Sequence, residues 1–175
     1  MVNKVVIVLS VLLLVTGCST LISEKGNQRL DISNRYAVVP LINLSETPQA
    51  GDQAASIVTA ILRAEGVKDV TLYLPEDDNP LMYESQARQA EAVTSARAEG
   101  METFVAGTVE EWRYKAGFDS EPAVGVTLMV IDTKGQILWS GTAARTGWSR
   151  EAVGTVAREV LQDLVQAMPL VSLEQ

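Results

Sequence analysis

Carboxylates are the only plentiful side chains in this sequence that could do acid–base chemistry. There are 22 Asp and Glu against 14 Lys and Arg, no histidine, and one cysteine, Cys18. Without histidine there is no imidazole base, no Ser-His or Cys-His nucleophile pair and no Cys/His metal set. What remains for an enzyme is a paired-acid glycosidase, which needs two carboxyls at a set separation across the scissile bond. Glu110, Glu111, Asp119 and Glu121 crowd one strand end and its loop, but nothing in their spacing ties two of them together. Arg113 and Lys115 sit among them. Each acid alone reads as a solvated strand end, and the group reads as an acidic surface. Residues 76–78, Glu-Asp-Asp, form the densest acidic run, yet they precede Asn79-Pro80 and suit the positive end of a helix. The expectation is a protein that is not an enzyme and holds neither metal nor cofactor.

Cys18 has a different chemistry. Lys4 is followed by an apolar run over residues 5–15 broken only by Ser10, and then by Thr16-Gly17-Cys18. A helix needs about 20 apolar residues to span a bilayer, so this run reads as a signal-peptide core. Its ending resembles the bacterial lipobox, which implies cleavage after residue 17 and acylation of Cys18. In lipoproteins a residue other than Asp after the cysteine implies the outer membrane, and here it is Ser19. Stable anchoring takes more than one acyl chain, palmitate among them, because a single chain binds only marginally. The expected divisions are a signal peptide over 1–17, a lipidated N-terminus and tether over 18–34, and a periplasmic domain over 35–175.

The formal charge of the whole chain is −8. Loss of Lys4 with the leader leaves 22 acids against 13 bases, or −9. Such a chain repels nucleic acid and anionic lipid, and its natural complement is a cationic partner. The polar stretch 19–34 shows no sustained periodicity and could reach on the order of 50 Å if extended. It reads as a tether, open to partial ordering by its neighbours.

Residues 36–44 read as a buried strand interrupted by Pro40. Thr47-Pro48 reads as an N-cap with proline at the first helical position, opening a helix that Gly66 stops. A short strand over 70–74 follows, then an Ala-rich helix from Asn79-Pro80 to Gly100. The repeated Arg-Ala-Glu-Gly at 63–66 and 97–100 reads as shared capping chemistry rather than a repeat fold. A long strand over 104–114 is followed by strands over 124–131 and 137–146, which flank Asp132-Thr-Lys-Gly135 as a hairpin. Ser149 reads as a cap for a last helix whose apolar residues recur from Val153 to Met168 at i, i+3, i+4, i+7, before Pro169. The order β-α-β-α-β-β-β-α predicts an α/β fold: one mixed sheet of about five strands covered by three helices.

The stretch 38–51, Val-Val-Pro-Leu-Ile-Asn-Leu-Ser-Glu-Thr-Pro-Gln-Ala-Gly, resembles the PelC family, outer-membrane lipoproteins of Pel exopolysaccharide secretion. Its Glu-Thr-Pro-Gln-Ala-Gly portion is the more specific part. The broader fold resembles the N-terminal domain of TolB and the periplasmic domain of CsgG. The resemblance implies a homo-oligomeric ring, dodecameric in PelC, lipid-anchored on the periplasmic face of the outer membrane. It further implies that the ring guides a cationic, amino-sugar polysaccharide of the biofilm matrix toward the β-barrel porin PelB. Glu110, Glu111, Asp119 and Glu121 would then contribute to an acidic surface facing the polysaccharide. PelC is similar in having a tryptophan near Trp148 that meets the membrane. Trp148 is equally placed to staple onto Val153 if Ser149 caps the last helix. Trp139 reads as core or inter-subunit packing.

Two further lipoprotein roles stay open. A monomeric activator of a periplasmic enzyme, similar to LpoB, would carry a longer tether than sixteen residues. A CsgG-like secretion channel would need spare membrane strands of about 9–11 residues, and none is left once the core strands are assigned.

Overall fold

The computed structural model describes residues 19–24, 28–76, 84–116 and 120–173. The leader and Cys18, the acids Asp77, Asp78 and Asp119, and the expected helix start at Asn79-Pro80 lie outside these residues. Strands and helices follow in the order β1 (Ser19–Glu24), β2 (Leu30–Asp31), β3 (Arg35–Val38), β4 (Ile42–Asn43), α1 (Ala50–Ala64), β5 (Asp69–Leu72), α2 (Ser85–Ala98), β6 (Thr103–Tyr114), β7 (Pro122–Asp132), β8 (Ile137–Thr146), α3 (Val153–Gln166) and β9 (Leu170–Val171). The mixed α/β fold and its three helices agree with the sequence. The sheet is wider than five strands.

It runs β1-β8-β7-β6-β3-β5, with β4 also pairing β6, and a separate parallel pair joins β2 to β9. Two departures account for the extra strands. Pro40 has no N–H to donate, so the first predicted strand splits into β3 and β4. Gln89 of α2 reaches across the break and donates to the Pro40 carbonyl at 2.8 Å. The second departure is the tether. Ser19–Glu24 pairs antiparallel along β8, and Leu30–Asp31 pairs with Leu170–Val171, so the 18–34 stretch contributes two strands rather than slack chain.

Alternation on the strands sends side chains to two cores. Tyr36 and Val38 of β3 join Val105 and Val109 of β6, Val124, Val126, Leu128 and Val130 of β7, and Trp139 and Ala143 of β8 beneath α1 and α3. Ala37 and Val39 point the other way and meet Phe104, Ala106 and the Ala92–Ala96 stripe of α2. α3 is amphipathic as expected, burying Val156, Ala157, Val160, Leu161, Leu164 and Val165.

The Arg-Ala-Glu-Gly echo is a shared helix stop. After α1, Gly66 N–H donates to the Arg63 carbonyl and Val67 N–H to Leu62; after α2, Gly100 donates to Arg97 and Met101 to Ala96. Both glycines have positive φ, +93° and +78°, and the residues after them, Val67 and Met101, are buried. These are two Schellman motifs, each leading straight into a strand.

Both predicted helix starts move. α1 begins at Ala50, after Gln49 at φ +58°, so Thr47 is not its cap. α3 begins at Val153, after a turn in which Arg150 takes φ +75°, a conformation that no helical residue adopts. Ser149 is therefore not the cap of α3. Its first N–H, on Val153, is instead accepted by the Tyr114 hydroxyl at 3.1 Å.

Candidate functional site

The loop after β4 is built by its own side chains. Asn43 donates through Nδ2 to the Thr47 carbonyl at 2.8 Å, while its Oδ1 accepts from Ser45 N–H and from the Ser45 hydroxyl. Ser45 Oγ in turn accepts from Thr47 N–H at 3.3 Å. Thr47 then uses its hydroxyl on a distant partner, donating to the Trp112 carbonyl of β6. The Asn-x-Ser-x-Thr part of the motif is thus a polar knot that docks on β6. It leaves Leu44, 63% exposed, and Glu46 facing outward.

β6 meets this loop at a β-bulge. Val109 pairs with Val126 but Glu111 pairs with Gly125, so Glu110 is an extra residue on its strand. The insertion reverses the alternation. Val105, Val109 and Trp112 all face the α1–α3 core, although a regular strand would send Trp112 to the other face. Glu110 and Glu111 are consequently both kept out of that core. Glu110 accepts from the Thr108 hydroxyl, and Glu111 pairs with Arg113 at 3.0 Å.

Leu44, Ser45, Glu46, Glu110, Glu111 and Arg113 border an open cleft of about 380 Å³ floored by Trp112. With three carboxylates against one guanidinium its field is negative, and it lies open to solvent. It can attract and orient a cation. Among the described residues, no group of Asp, Glu, His or Cys is arranged to hold a metal ion.

The four predicted acids do not form one cluster. Glu110 and Glu111 share the cleft. Glu121 lies farther along the sheet, where its carbonyl accepts from Lys115 N–H at 2.7 Å beyond the ends of β6 and β7. Asp119 is outside the described residues. Glu46 was missed in the sequence, because only the polar knot carries it across to the bulge. The one available signal was the slip from odd to even apolar positions between Val109 and Trp112.

Trp148 is 66% exposed, so it does not staple onto α3. Its N–H donates to the Glu151 carboxylate at 2.9 Å, which holds the turn ahead of the helix. Trp139 is 3% exposed and belongs to the core.

Two tyrosines away from the cleft are perturbed. Burial, followed by the charge of Asp31, pushes the Tyr36 phenol up to about 12. Burial, then its hydrogen bond to Glu99, raises Tyr73 to about 12. Asp31 itself is held below the ordinary carboxylate value chiefly by the backbone and hydroxyl of Ser33.

No helix among the described residues is long and apolar enough to cross a membrane. No protein-family model and no curated sequence matches the chain. Solved structures do. A PelC dodecamer from Paraburkholderia phytofirmans is 36% identical, superposes with a TM-score of 0.73, and matches 89% of this chain and 100% of its own. A leucine-to-methionine variant of that dodecamer, in another crystal form, gives 36% identity and 0.74, over 88% of this chain and all of its own. Lipoprotein GNA1162 from Neisseria meningitidis, at 19% identity and TM-score 0.51 over 77% of this chain and 99% of its own, shares the fold. None of these neighbours is described as an enzyme. Matched along the whole of a solved PelC at more than a third of positions, this chain belongs to the PelC family.

Proposed function

We propose that the chain is a subunit of a dodecameric ring, anchored through acylated Cys18 on the periplasmic face of the outer membrane. The ring guides a cationic exopolysaccharide toward a β-barrel export porin of the PelB kind. The observation that carries this reading is full-length similarity to a protein crystallised as a dodecamer. The mature charge of −9 supports it, because a ring multiplies the field of each subunit where a polycation passes. The cleft at the β6 bulge supplies Glu46, Glu110 and Glu111 as the polysaccharide-facing acids. Glu121, just beyond the end of β6, and Asp119 are proposed as further polysaccharide-facing acids. Trp148, exposed and amphipathic, is the proposed membrane contact.

Exposed carboxylates interact with a polycation at about 0.2–1 kcal/mol each, so no single site grips the polymer and it can slide. That weakness suits transport. Replacing Glu46, Glu110 and Glu111 together with Gln should weaken binding of a partly deacetylated amino-sugar polymer roughly 3- to 150-fold. Wild-type binding should also collapse as salt rises, since screening shortens to about 8 Å at physiological ionic strength. Unchanged affinity in the triple variant would rule the cleft out as the polymer's contact.

A further inference from the structure

Between β3 and α1 the chain, short β4 included, makes a loop whose two ends touch. Leu41 N–H donates to the Gly51 carbonyl at 3.3 Å and closes the neck. The residues between them carry the Asn43–Thr47 knot and bring Glu46 to the cleft. A compact loop of this kind is held where its ends meet.

α2 grips that neck from outside the loop, with two consecutive residues, one on each side. Gln89 donates at 2.8 Å to the carbonyl of Pro40, the residue before Leu41, and at 3.3 Å to the Gly107 carbonyl of β6. Arg88 pairs at 2.9 Å with Asp52, the residue after Gly51, and donates at 2.9 Å to the Pro75 carbonyl. The two carbonyls that Gln89 takes lie where Pro40 interrupts the ladder. Val39 N–H still reaches Val105, and pairing with β6 resumes only at Ile42. The Arg88 and Asp52 side chains are 7% and 18% exposed. A pair so shielded adds little net stability, and its best-attested use is to fix one arrangement against others.

The rest of α2 offers the sheet little else. α1 buries Val58, Ile61 and Leu62 among eight residues and α3 buries six, whereas α2 buries only Arg88, Ala92 and Ala96. Alanine has a single methyl to bury, so the polar clasp, not apolar area, sets how α2 and the neck sit together.

We infer that Arg88 and Gln89 are positioning residues for the cleft. By clamping both sides of the neck they hold Glu46 in register with Glu110 and Glu111, although neither lines the cleft. The effect on the polysaccharide rests on the proposed role of the cleft; the clamp does not.

The test uses changes that leave net charge as it is. Asp52→Asn with Arg88→Met removes the ion pair without stranding a buried charge. Gln89→Ala removes the other arm. Ser95→Ala, exposed farther along α2, is the control. Backbone hydrogen exchange of the mature lipidated protein is read by mass spectrometry, beside its affinity for a partly deacetylated amino-sugar polymer. The Leu44 amide, which donates to the Val109 carbonyl at 2.9 Å, reports whether the loop is seated on β6. Exchange over residues 41–49 should rise about tenfold or more in the double variant and about threefold in Gln89→Ala, with α3 as protected as in the wild type. Affinity should fall about 1.4- to 5-fold, the share of one displaced carboxylate. Faster exchange with unchanged affinity keeps the clamp and removes Glu46 from the polymer's contacts. Exchange over 41–49 no faster than in Ser95→Ala overturns the clamp. So does a rise matched in α3, which marks a general loss of stability. If the double variant does not fold, Gln89→Ala alone decides.

Discussion

Gly51, the last residue of the Glu-Thr-Pro-Gln-Ala-Gly motif, tests whether the motif is there for packing. It lies in the first turn of α1, against the backbone of Leu41, whose N–H donates to the Gly51 carbonyl at 3.3 Å. A Cβ on Gly51 would stand 1.9 Å from the Leu41 carbonyl oxygen and 2.9 Å from its carbon. Both obstacles are backbone, and α1 cannot slide away because Ala54, Ala55, Val58 and Leu62 are fully buried behind it. Two effects oppose each other in Gly51→Ala. Helix propensity favours alanine by up to about 1 kcal/mol. Overpacking costs about 1–3 kcal/mol, at the upper end or beyond when backbone must move. The net expectation is a loss of about 1–2 kcal/mol, or roughly 2–8 °C in Tm for a domain of this size. Gly154, in the first turn of α3, is the control: nothing lies within 4 Å of its ideal Cβ, so Gly154→Ala should be neutral or gain up to about 1 kcal/mol. Urea titrations of the mature chain with Cys18→Ser, at one protein concentration because assembly shifts apparent stability, measure both. Gly51→Ala as stable as the wild type, or shifting in the same direction as Gly154→Ala, would refute the close approach as the reason for glycine.

Thr47→Val should cost about 0.5–1.5 kcal/mol by orphaning the Trp112 carbonyl, whereas Thr47→Ser, which keeps the hydroxyl, should stay near wild type in the same titration. Trp139→Ala should cost about 3–5 kcal/mol, since the ring is 3% exposed and packs over Gly141. Alkaline pH should also destabilise the fold. The folded Tyr36 and Tyr73 phenols lie at about 12, above the ordinary 10, so their contribution is fully present below pH 10 and is lost as pH rises through 12. Urea midpoints across that window should fall, less steeply in Tyr36→Phe and Tyr73→Phe, and phenolate absorbance should show both groups titrating late.

Where periodicity was strong, the sequence was sufficient. The buried stripe of α3 follows from residue spacing, and the two Gly stops follow from the need for positive φ after a helix. Helix starts were not legible. Gln49 and Arg150 take left-handed φ without being glycine, so nothing in their type announces the turns that displace Thr47 and Ser149 from capping. β1 was hidden for another reason: its pairing comes from the open edge of β8, and a polar edge strand needs no apolar alternation of its own. The cleft was half legible. Glu110 and Glu111 are adjacent in sequence, but a regular strand would have sent them to opposite faces. Only the bulge keeps both out of the core, and only the Asn43–Thr47 knot brings Glu46 to join them.

Native mass spectrometry of the mature, lipidated protein released from membranes in a mild detergent tests the ring itself. A single assembly of twelve chains is expected, as in the solved PelC dodecamer. A monomer at every concentration, with the acyl anchor intact, would contradict it.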